Sequence, residues 1–144
     1  GLCLVGSEMC IRDRMKLFFI LLSVTFSFIA NAEQNVYFIN LKDGDKLESP
    51  IFIQFGLSGM GVAPAGTNRE GTGHHHLLIN VDDIDISRPI PSSSNHIHFG
   101  GGQTETTIDL PSGVYTLQLL LGNMSHIPHN PPVVSKKIKI EVIK

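Results

Sequence analysis

The sequence predicts an all-β domain, an antiparallel sandwich of six or seven short strands, on three observations. Polar and apolar residues alternate with a period of two in several stretches, a pattern typical of strands with one face in a core. Helical periodicity is nearly absent after residue 32. Gly, Pro, Asn and Asp separate the alternating stretches and indicate turns. Short strands joined by turns favour two packed antiparallel sheets.

Three predicted strands and one turn lie in the first half of the domain. Residues 36–39 (VYFI) form the first strand, and residues 51–55 (IFIQF) form a second that is rich in β-branched and aromatic side chains. Between them, residues 43–45 (DGD) favour a turn. Residues 77–81 (LLINV) are apolar enough to form a central strand.

Three further strands are predicted in the second half. Thr106, Ile108 and Leu110 are spaced by two, so their side chains point to one side of a short strand. Residues 115–119 (YTLQL) and 137–142 (KIKIEV) alternate without a slip. Each of these strands is therefore expected to place one face in the core and the other in water.

One motif narrows the fold further. Residues 110–117 (LPSGVYTL) resemble the L-P-x-G-x-Y-x-L signature of immunoglobulin-like and fibronectin type III domains. That resemblance implies that the Tyr115 hydroxyl closes a corner between two strands. Residues 40–55 (NLKDGDKLESPIFIQF) are similar to the first two strands of many bacterial immunoglobulin-like modules. We therefore expect a single immunoglobulin-like antiparallel β-sandwich of about seven strands.

Residues 15–32 predict a secretory signal peptide. A basic start at Met15-Lys16 precedes an apolar run over residues 17–29, and Ala30-Asn31-Ala32 supplies small residues for cleavage after Ala32. The apolar run is shorter than the roughly 20 residues that cross a bilayer, which argues against a stable membrane anchor. The sequence therefore predicts a periplasmic or secreted protein.

Residues 1–14 (GLCLVGSEMCIRDR) do not fit ahead of such a signal. They are polar and lack periodicity, and the string resembles a translated sequencing-library adapter. We interpret them as an artefactual extension, which leaves residues 33–144 as the domain. Because Cys3 and Cys10 are the only cysteines, the domain itself contains neither a disulfide nor a thiolate ligand.

The charge of the domain excludes some partners. Residues 33–144 carry 8 basic and 11 acidic side chains, for a net charge of about −3. This balance argues against nucleic acid or an anionic membrane as a partner. Asp82, Asp83 and Asp85 lack the glycine turn and terminal glutamate of a calcium loop, so we expect a solvated turn there.

All seven histidines lie between His74 and His129, beside or inside three segments that resist assignment as strands. These segments are residues 58–72, 99–102 and 123–132, which are rich in glycine or punctuated by proline. Irregular segments of this length in a small domain are functional or disordered. The clustering of imidazoles around them is the main functional signal of the sequence.

The spacing of the histidines predicts a metal site. His74 and His76 would project to the same side of a strand, and the same holds for His96 and His98. His75 falls on the opposite side, with Leu77, and is expected to pack or to form a hydrogen bond. Imidazoles suit copper and zinc. The predicted ligands are His74, His76, His96, His98, His126 and His129, and the predicted residues that orient them are Gln103 and Glu105.

Alternatives to a simple metal-binding protein remain open. The absence of a thiolate excludes a blue-copper site, although Met60 and Met124 could supply thioethers to copper. In a second interpretation the histidines form hydrogen bonds that stiffen the loops of a cell-envelope interaction module. In a third the protein is an enzyme, in which a metal-bound water or a histidine paired with Glu105 acts on a small substrate.

A wider resemblance covers nearly the whole domain. Its motifs are SGMGVAPAG (58–66), TGHHHLLIN (72–80), NHIHFGGGQTE (95–105), LQLLLGN (117–123) and HIPHNPPV (126–133). Together they are similar to domain of unknown function 4399, a family of small exported bacterial domains. The resemblance implies an exported, histidine-rich β domain and supplies no chemistry.

Overall fold

A computed structural model describes residues 33–144, so the predicted extension (1–14) and signal peptide (15–32) lie outside the described residues. The described residues form an all-β fold of nine strands and contain no helix, which confirms the predicted fold class. No helix long and apolar enough to cross a membrane occurs in this part of the chain. The strands are β1 (Asn35–Phe38), β2 (Lys46–Glu48), β3 (Ile51–Ser58), β4 (Gly61–Val62), β5 (Thr72–Ile79), β6 (His96–His98), β7 (Glu105–Ile108), β8 (Gly113–Gly122) and β9 (Ile138–Ile143).

The strands form two sheets. The smaller sheet is antiparallel and has the order β1-β3-β7, and the larger has the order β2-β9-β8-β5-β4, with β6 also paired to β5. The larger sheet is mixed, because β2 runs parallel to β9 and β4 runs parallel to β5. These two strands have only three and two residues, which is why no alternation in the sequence predicted them.

The main core lies between the inward faces of the two sheets. Alternate residues are buried in β9 and over residues 51–55 of β3, as period-two patterning requires, whereas β8 is buried on both faces over residues 119–122. At about 25 cal/mol per Å² of apolar surface, this burial is the main stabilising contribution to a fold without disulfides. The side chains of this core that are at most 3% exposed are Val36, Ile51, Ile53, Phe55, Leu77, Leu117, Leu119, Leu121, Val133, Ile140 and Val142.

Tyr115 forms the corner that the sequence motif implied. Its hydroxyl donates a hydrogen bond of 3.0 Å to the carbonyl oxygen of Pro111, at the entry to β8. The turn predicted at residues 43–45 is also present, and Gly44 has a φ of 86°, which L-residues rarely adopt. Both features confirm local predictions made from sequence.

Strand β5 begins earlier than the predicted strand over residues 77–81. It starts at Thr72 and ends at Ile79, because Asn80 turns into the left-handed region with a φ of 52°. The Asn80 side chain then accepts a hydrogen bond of 2.8 Å from the backbone N–H of Thr116. The early start places all three consecutive histidines inside a buried strand. Because histidine is polar, the run of apolar residues predicted only the second half of this strand.

Strand β5 is buried on both of its faces. Leu77 and Ile79 belong to the main core, whereas Leu78 packs on the other face against Ile90 and Leu120. The segment between β5 and β6 supplies Ile90 and so covers this second face. The three central histidines are therefore divided between two different environments, with His75 on the face of Leu77, and His74 and His76 on the face of Leu78.

Candidate metal centre

Four imidazole rings converge at one end of the larger sheet. His74 and His76 come from β5, His98 from β6, and His126 from the segment that follows β8. Five of the six distances between their ring centroids lie between 4.6 and 5.0 Å, and the sixth, from His76 to His126, is 6.1 Å. Residues separated by up to 52 positions thus share one small volume, which we call the four-histidine cluster.

Strand pairing brings the first three rings together. His76 is paired directly with His98 across the antiparallel β5–β6 ladder. His74 lies two residues before His76 and therefore points to the same face. The candidate ligand nitrogens of His74, His76 and His98 all lie within 4.8 Å of one another.

The fourth ring is held by a tightly bonded turn. His126 has a φ of 65°, an unusual conformation for a residue other than glycine. Its N–H donates to the Asn123 carbonyl oxygen at 2.9 Å, and the Asn123 side chain accepts from the N–H groups of Ser125 and Ile127 at 2.8 and 3.1 Å. Such local strain persists only where the surroundings enforce it, and it is frequent at functional sites.

Glycines make room for the rings. A Cβ atom on Gly122 would lie 2.9 Å from Nε2 of His76, and a Cβ atom on Gly100 would lie 2.6 Å from Nε2 of His98. Real Cβ atoms do not approach other atoms so closely, so a side chain at either position would push an imidazole aside. Gly100 belongs to the glycine-rich segment 99–102 and Gly122 ends β8, and both positions lack a side chain where an imidazole needs the space.

Burial keeps the inner rings neutral. Burial, followed by the neighbouring rings of the cluster, lowers the pKa of His74 to about 4 and that of His76 to about 3. Burial and the nearby His126 also lower the pKa of His98. A neutral imidazole has a free lone pair, which is the form that binds a metal ion.

The inner rings also lack hydrogen-bond partners. Both nitrogens of His74 and both nitrogens of His76 are buried, and none of them forms a hydrogen bond. An unsatisfied buried polar group costs about 1–3 kcal/mol, so native structures retain few of them without a reason. A metal ion bound by the cluster would satisfy one nitrogen on each ring.

The spacing of the rings fits a single tetrahedral ion. A metal–nitrogen distance of about 2.0–2.1 Å with tetrahedral angles places the centroids of coordinated imidazoles about 5 Å apart. Five of the six measured separations are within half an ångström of that value, and the sixth is about 1 Å longer. Candidate ligand nitrogens of His74, His76 and His98 lie within 4.8 Å of one another, and the His126 ring centroid lies 4.6–6.1 Å from the centroids of these three rings.

Two of the six predicted ligands lie outside this cluster. His96 is paired with Leu78, one step further along the ladder, and its Nδ1 lies 3.0 Å from the Ser93 hydroxyl. His129 borders the cluster: its Nε2 is buried without a hydrogen bond, beside Gly73, and burial lowers its pKa. The structure therefore brings together four of the six histidines proposed from the sequence.

The residues predicted to orient the ligands bond elsewhere. The Gln103 side chain accepts a hydrogen bond of 2.9 Å from the Gly101 N–H, and Glu105 accepts one of 3.4 Å from the Gln54 side chain on the smaller sheet. Neither carboxylate nor amide bonds to a histidine ring. Met60 packs against the main core and Met124 is exposed, with its carbonyl oxygen accepting from the Gly66 N–H.

His75 packs as the alternation predicted. Its ring lies 5.2 Å from the Phe55 ring on the core face of β5. Burial lowers the pKa of His75, with a smaller opposing effect from the backbone of Gln103, although neither ring nitrogen forms a hydrogen bond of standard geometry. His75 is thus separated from the four-histidine cluster by the thickness of the sheet.

The sequence did not predict the position of the segment between β5 and β6, which forms one wall of a cavity near the cluster. A cavity of about 280 Å³ lies over Leu78 and Leu120, and its lining includes His96 and Ile90. The Ile90 N–H donates a hydrogen bond of 2.8 Å to the His126 carbonyl oxygen, so this wall and the fourth ring are joined. No periodicity marks the irregular segment that supplies Ile90, so no signal in the sequence could have placed it.

Comparison with known proteins gives one match. A family model described as a domain of unknown function (DUF4399) matches residues 53–143, which is more than half of the chain and includes every histidine. No curated protein matches, and no solved structure matches.

Proposed function

This chain belongs to the DUF4399 family, and we propose that it is a transition-metal-binding protein that holds one copper or zinc ion outside the cytoplasm. The proposed ligands are His74, His76, His98 and His126. The location follows from the signal peptide predicted at residues 15–32 and is part of the proposal.

One observation carries the proposal: four imidazole rings from three separate segments share one small volume, and five of their six centroid separations are close to those expected around a tetrahedral ion. Alternation along β5 and the β5–β6 pairing account for His74, His76 and His98, but the approach of His126 from the segment after β8 needs a separate cause. Imidazole rings in mutual contact gain little from one another, and the buried nitrogens of His74 and His76, which form no hydrogen bond, carry a cost. A shared metal ion would offset that cost, because it would form a bond to one nitrogen of each ring.

The chemistry of the ligands favours copper or zinc. The group of candidate ligands within the described residues contains histidines alone, without a carboxylate. Imidazole suits copper, zinc, nickel and iron, whereas calcium and magnesium prefer oxygen. Affinity rises along the first row to Cu²⁺ and is lower for Zn²⁺, so we expect copper to bind more tightly than zinc.

The structure supports the alternative role, in which histidines stiffen loops by hydrogen bonding, only at His96 among the described residues. Of the histidine side chains in the described part of the chain, only His96 forms a hydrogen bond, with Ser93. The rings of His74 and His76 bond to no loop. A structural role through hydrogen bonds is therefore favoured for His96 and not for the inner rings.

Calorimetric titration of the protein tests the proposal. Residues 15–144, which begin with the predicted signal peptide, are expressed in a bacterial host and purified from the periplasm without a histidine tag, because added histidines would themselves bind metal. We expect saturable binding of one Cu²⁺ or Zn²⁺ per chain. Saturable binding should disappear when His74 and His76 are both replaced by alanine, because only two of the four proposed ligands, His98 and His126, then remain.

His96→Ala is the matched control, because it removes the same residue type from a neighbouring position and leaves the four-histidine cluster intact. We expect it to bind like the wild type. His98→Ala serves as a second ligand variant, since its exposed side chain contributes little to folding. Absence of saturable binding to the folded wild-type protein, or binding unchanged in both ligand variants, would contradict the proposal.

A further inference from the structure

The four rings differ in their access to solvent. His74 and His76 are 0% and 1% exposed, and they lie at the base of the cluster. His98 is exposed and His126 is partly exposed, and these two form its mouth. A bound ion would therefore be shielded on the side of β5 and reachable on the side of the loops.

Backbone hydrogen bonds from residues 65–66 connect the two segments that form this mouth. The Ala65 N–H donates to the carbonyl oxygen of Gly100, two residues after His98, at 2.9 Å. The Gly66 N–H donates to the carbonyl oxygen of Met124, two residues before His126, at 2.9 Å. The segments that carry the two mouth rings are thus bonded to the same short stretch, residues 65–66. Opening of the mouth by movement of the backbone would break these bonds.

The side chain of His98 has more freedom than its backbone. It lies over Gly100, which presents no side chain, and it faces water on its other side. Rotation of exposed side chains takes picoseconds to nanoseconds. His98 is therefore the ring of the cluster that can leave an ion at the lowest cost.

From this asymmetry we infer, on the basis of the proposed function, that the protein passes its ion to an acceptor by associative exchange through the mouth. A nitrogen, oxygen or sulfur donor of the acceptor forms a bond to the ion as the bond to His98 breaks. Replacement of His126 follows, and the bonds to His74 and His76 break last. Each displaced imidazole leaves as a neutral ring, so the ion keeps its charge and no electron is transferred.

The buried base makes the dissociative route slow. Release without an acceptor requires all four bonds to break while water reaches the ion from one side only. An incoming donor compensates each broken bond in turn, and zinc sites expand to five ligands for such steps. The acceptor class implied is a small chelate or an exposed metal-binding side-chain cluster on a partner that can reach the mouth.

Metal transfer to a chromogenic chelator tests this inference. The protein is loaded with Zn²⁺ and mixed with a tridentate chelator over a range of concentrations in a stopped-flow instrument. We expect the observed rate to rise linearly with chelator concentration. A rate that is independent of chelator concentration would overturn the inference while leaving the proposed function intact, because loading itself demonstrates binding.

Variants identify the ring that leaves first. His98→Ala should raise the second-order transfer rate by about tenfold or more, comparable to the effects of disturbing the surroundings of a metal site. Gly100→Ala provides the same test if His98→Ala cannot be loaded, because its Cβ would displace the His98 ring while all four imidazoles remain. His96→Ala should leave the rate unchanged. A wild-type rate in both the His98 and the Gly100 variants would overturn the inference.

Discussion

The two faces of β5 carry the same residue type in different settings. On one face His75 packs against Phe55 within the main core. On the other face His74 and His76 meet the rings of His98 and His126. The difference shows that burial of a histidine is not itself a functional signal. The signal is the convergence of further imidazoles from other segments on the same point.

The largest effect is expected from pH. Burial lowers the pKa of a histidine on both faces, but the large shifts belong to His74 and His76. The pKa values of His74 and His76 are lowered to about 4 and 3, against about 6.5 when the chain is unfolded. The folded state therefore binds fewer protons than the unfolded state below pH 6.5. The free energy of unfolding of the metal-free protein should be highest above pH 6.5 and should fall as the pH decreases toward 4.

We expect a loss of about 3 kcal/mol between pH 7 and pH 4, a value reduced from the sum of the two shifts because the rings are coupled and water reaches the mouth. Denaturant unfolding at a series of pH values measures it. The control is the His74→Leu/His76→Leu variant, which should have a much flatter profile in this range. Equal slopes for the two proteins would show that the cluster does not titrate as described.

Replacement of His75, on the core face of β5, should change the stability of the fold and leave metal binding unchanged. His75→Ala leaves a cavity beside Phe55, and we expect a loss of about 2 kcal/mol in the free energy of unfolding. His75→Leu removes the unsatisfied nitrogens and fills the space, so its stability should equal or exceed that of the wild type. Both variants should retain metal affinity, as measured by competitive titration. A loss of affinity beyond about tenfold would place His75 in the metal site.

A smaller effect is expected at the tyrosine corner, which belongs to the fold and not to the site. Tyr115→Phe removes the hydrogen bond to the Pro111 carbonyl oxygen. We expect a loss of about 1 kcal/mol in stability, the usual net contribution of one hydrogen bond, with metal affinity unchanged. Thermal unfolding with and without metal measures both quantities. A change in affinity without a change in stability would contradict the separation of fold and site.

The smallest effect is expected for His96→Ala. The Ser93–His96 hydrogen bond is exposed, so its removal should change the free energy of unfolding by less than about 0.5 kcal/mol. Metal affinity should also remain within error of the wild type. A decrease of affinity comparable to that of His98→Ala would mean that both histidines of β6 bind the ion.

Much of the fold could be predicted from alternation in the sequence. The strands around residues 115–119 and 137–142 were located by their alternation of polar and apolar residues. The strand around residues 51–55 was located by its β-branched and aromatic side chains, and its outward-facing Phe52 is exposed. Strands β4 and β6 have two and three residues, too few to show a period. The apolar run located only the second half of β5, whereas the argument from histidine spacing already assumed a strand at His74–His76. Burial of these polar residues against other histidines is an environment that composition alone does not reveal.

The site could be predicted only in part. Alternation correctly placed His74 with His76 and opposed to His75, because a strand fixes the side to which each residue points. It does not fix the position along a neighbouring strand, which depends on register. In the β5–β6 ladder His98 is opposite His76 and His96 is opposite Leu78. His98 therefore lies in the four-histidine cluster, whereas His96 lies outside it. The choice between His126 and His129 depends on a turn conformation that spacing does not determine.

X-ray absorption spectroscopy of the copper- or zinc-loaded protein tests directly whether the four-histidine cluster binds the ion. We expect three or four imidazole nitrogens at about 2.0–2.1 Å from the ion, and one fewer in His98→Ala. A first shell dominated by water or carboxylate oxygens, or one with a single imidazole, would contradict the assignment of the four-histidine cluster as a metal site.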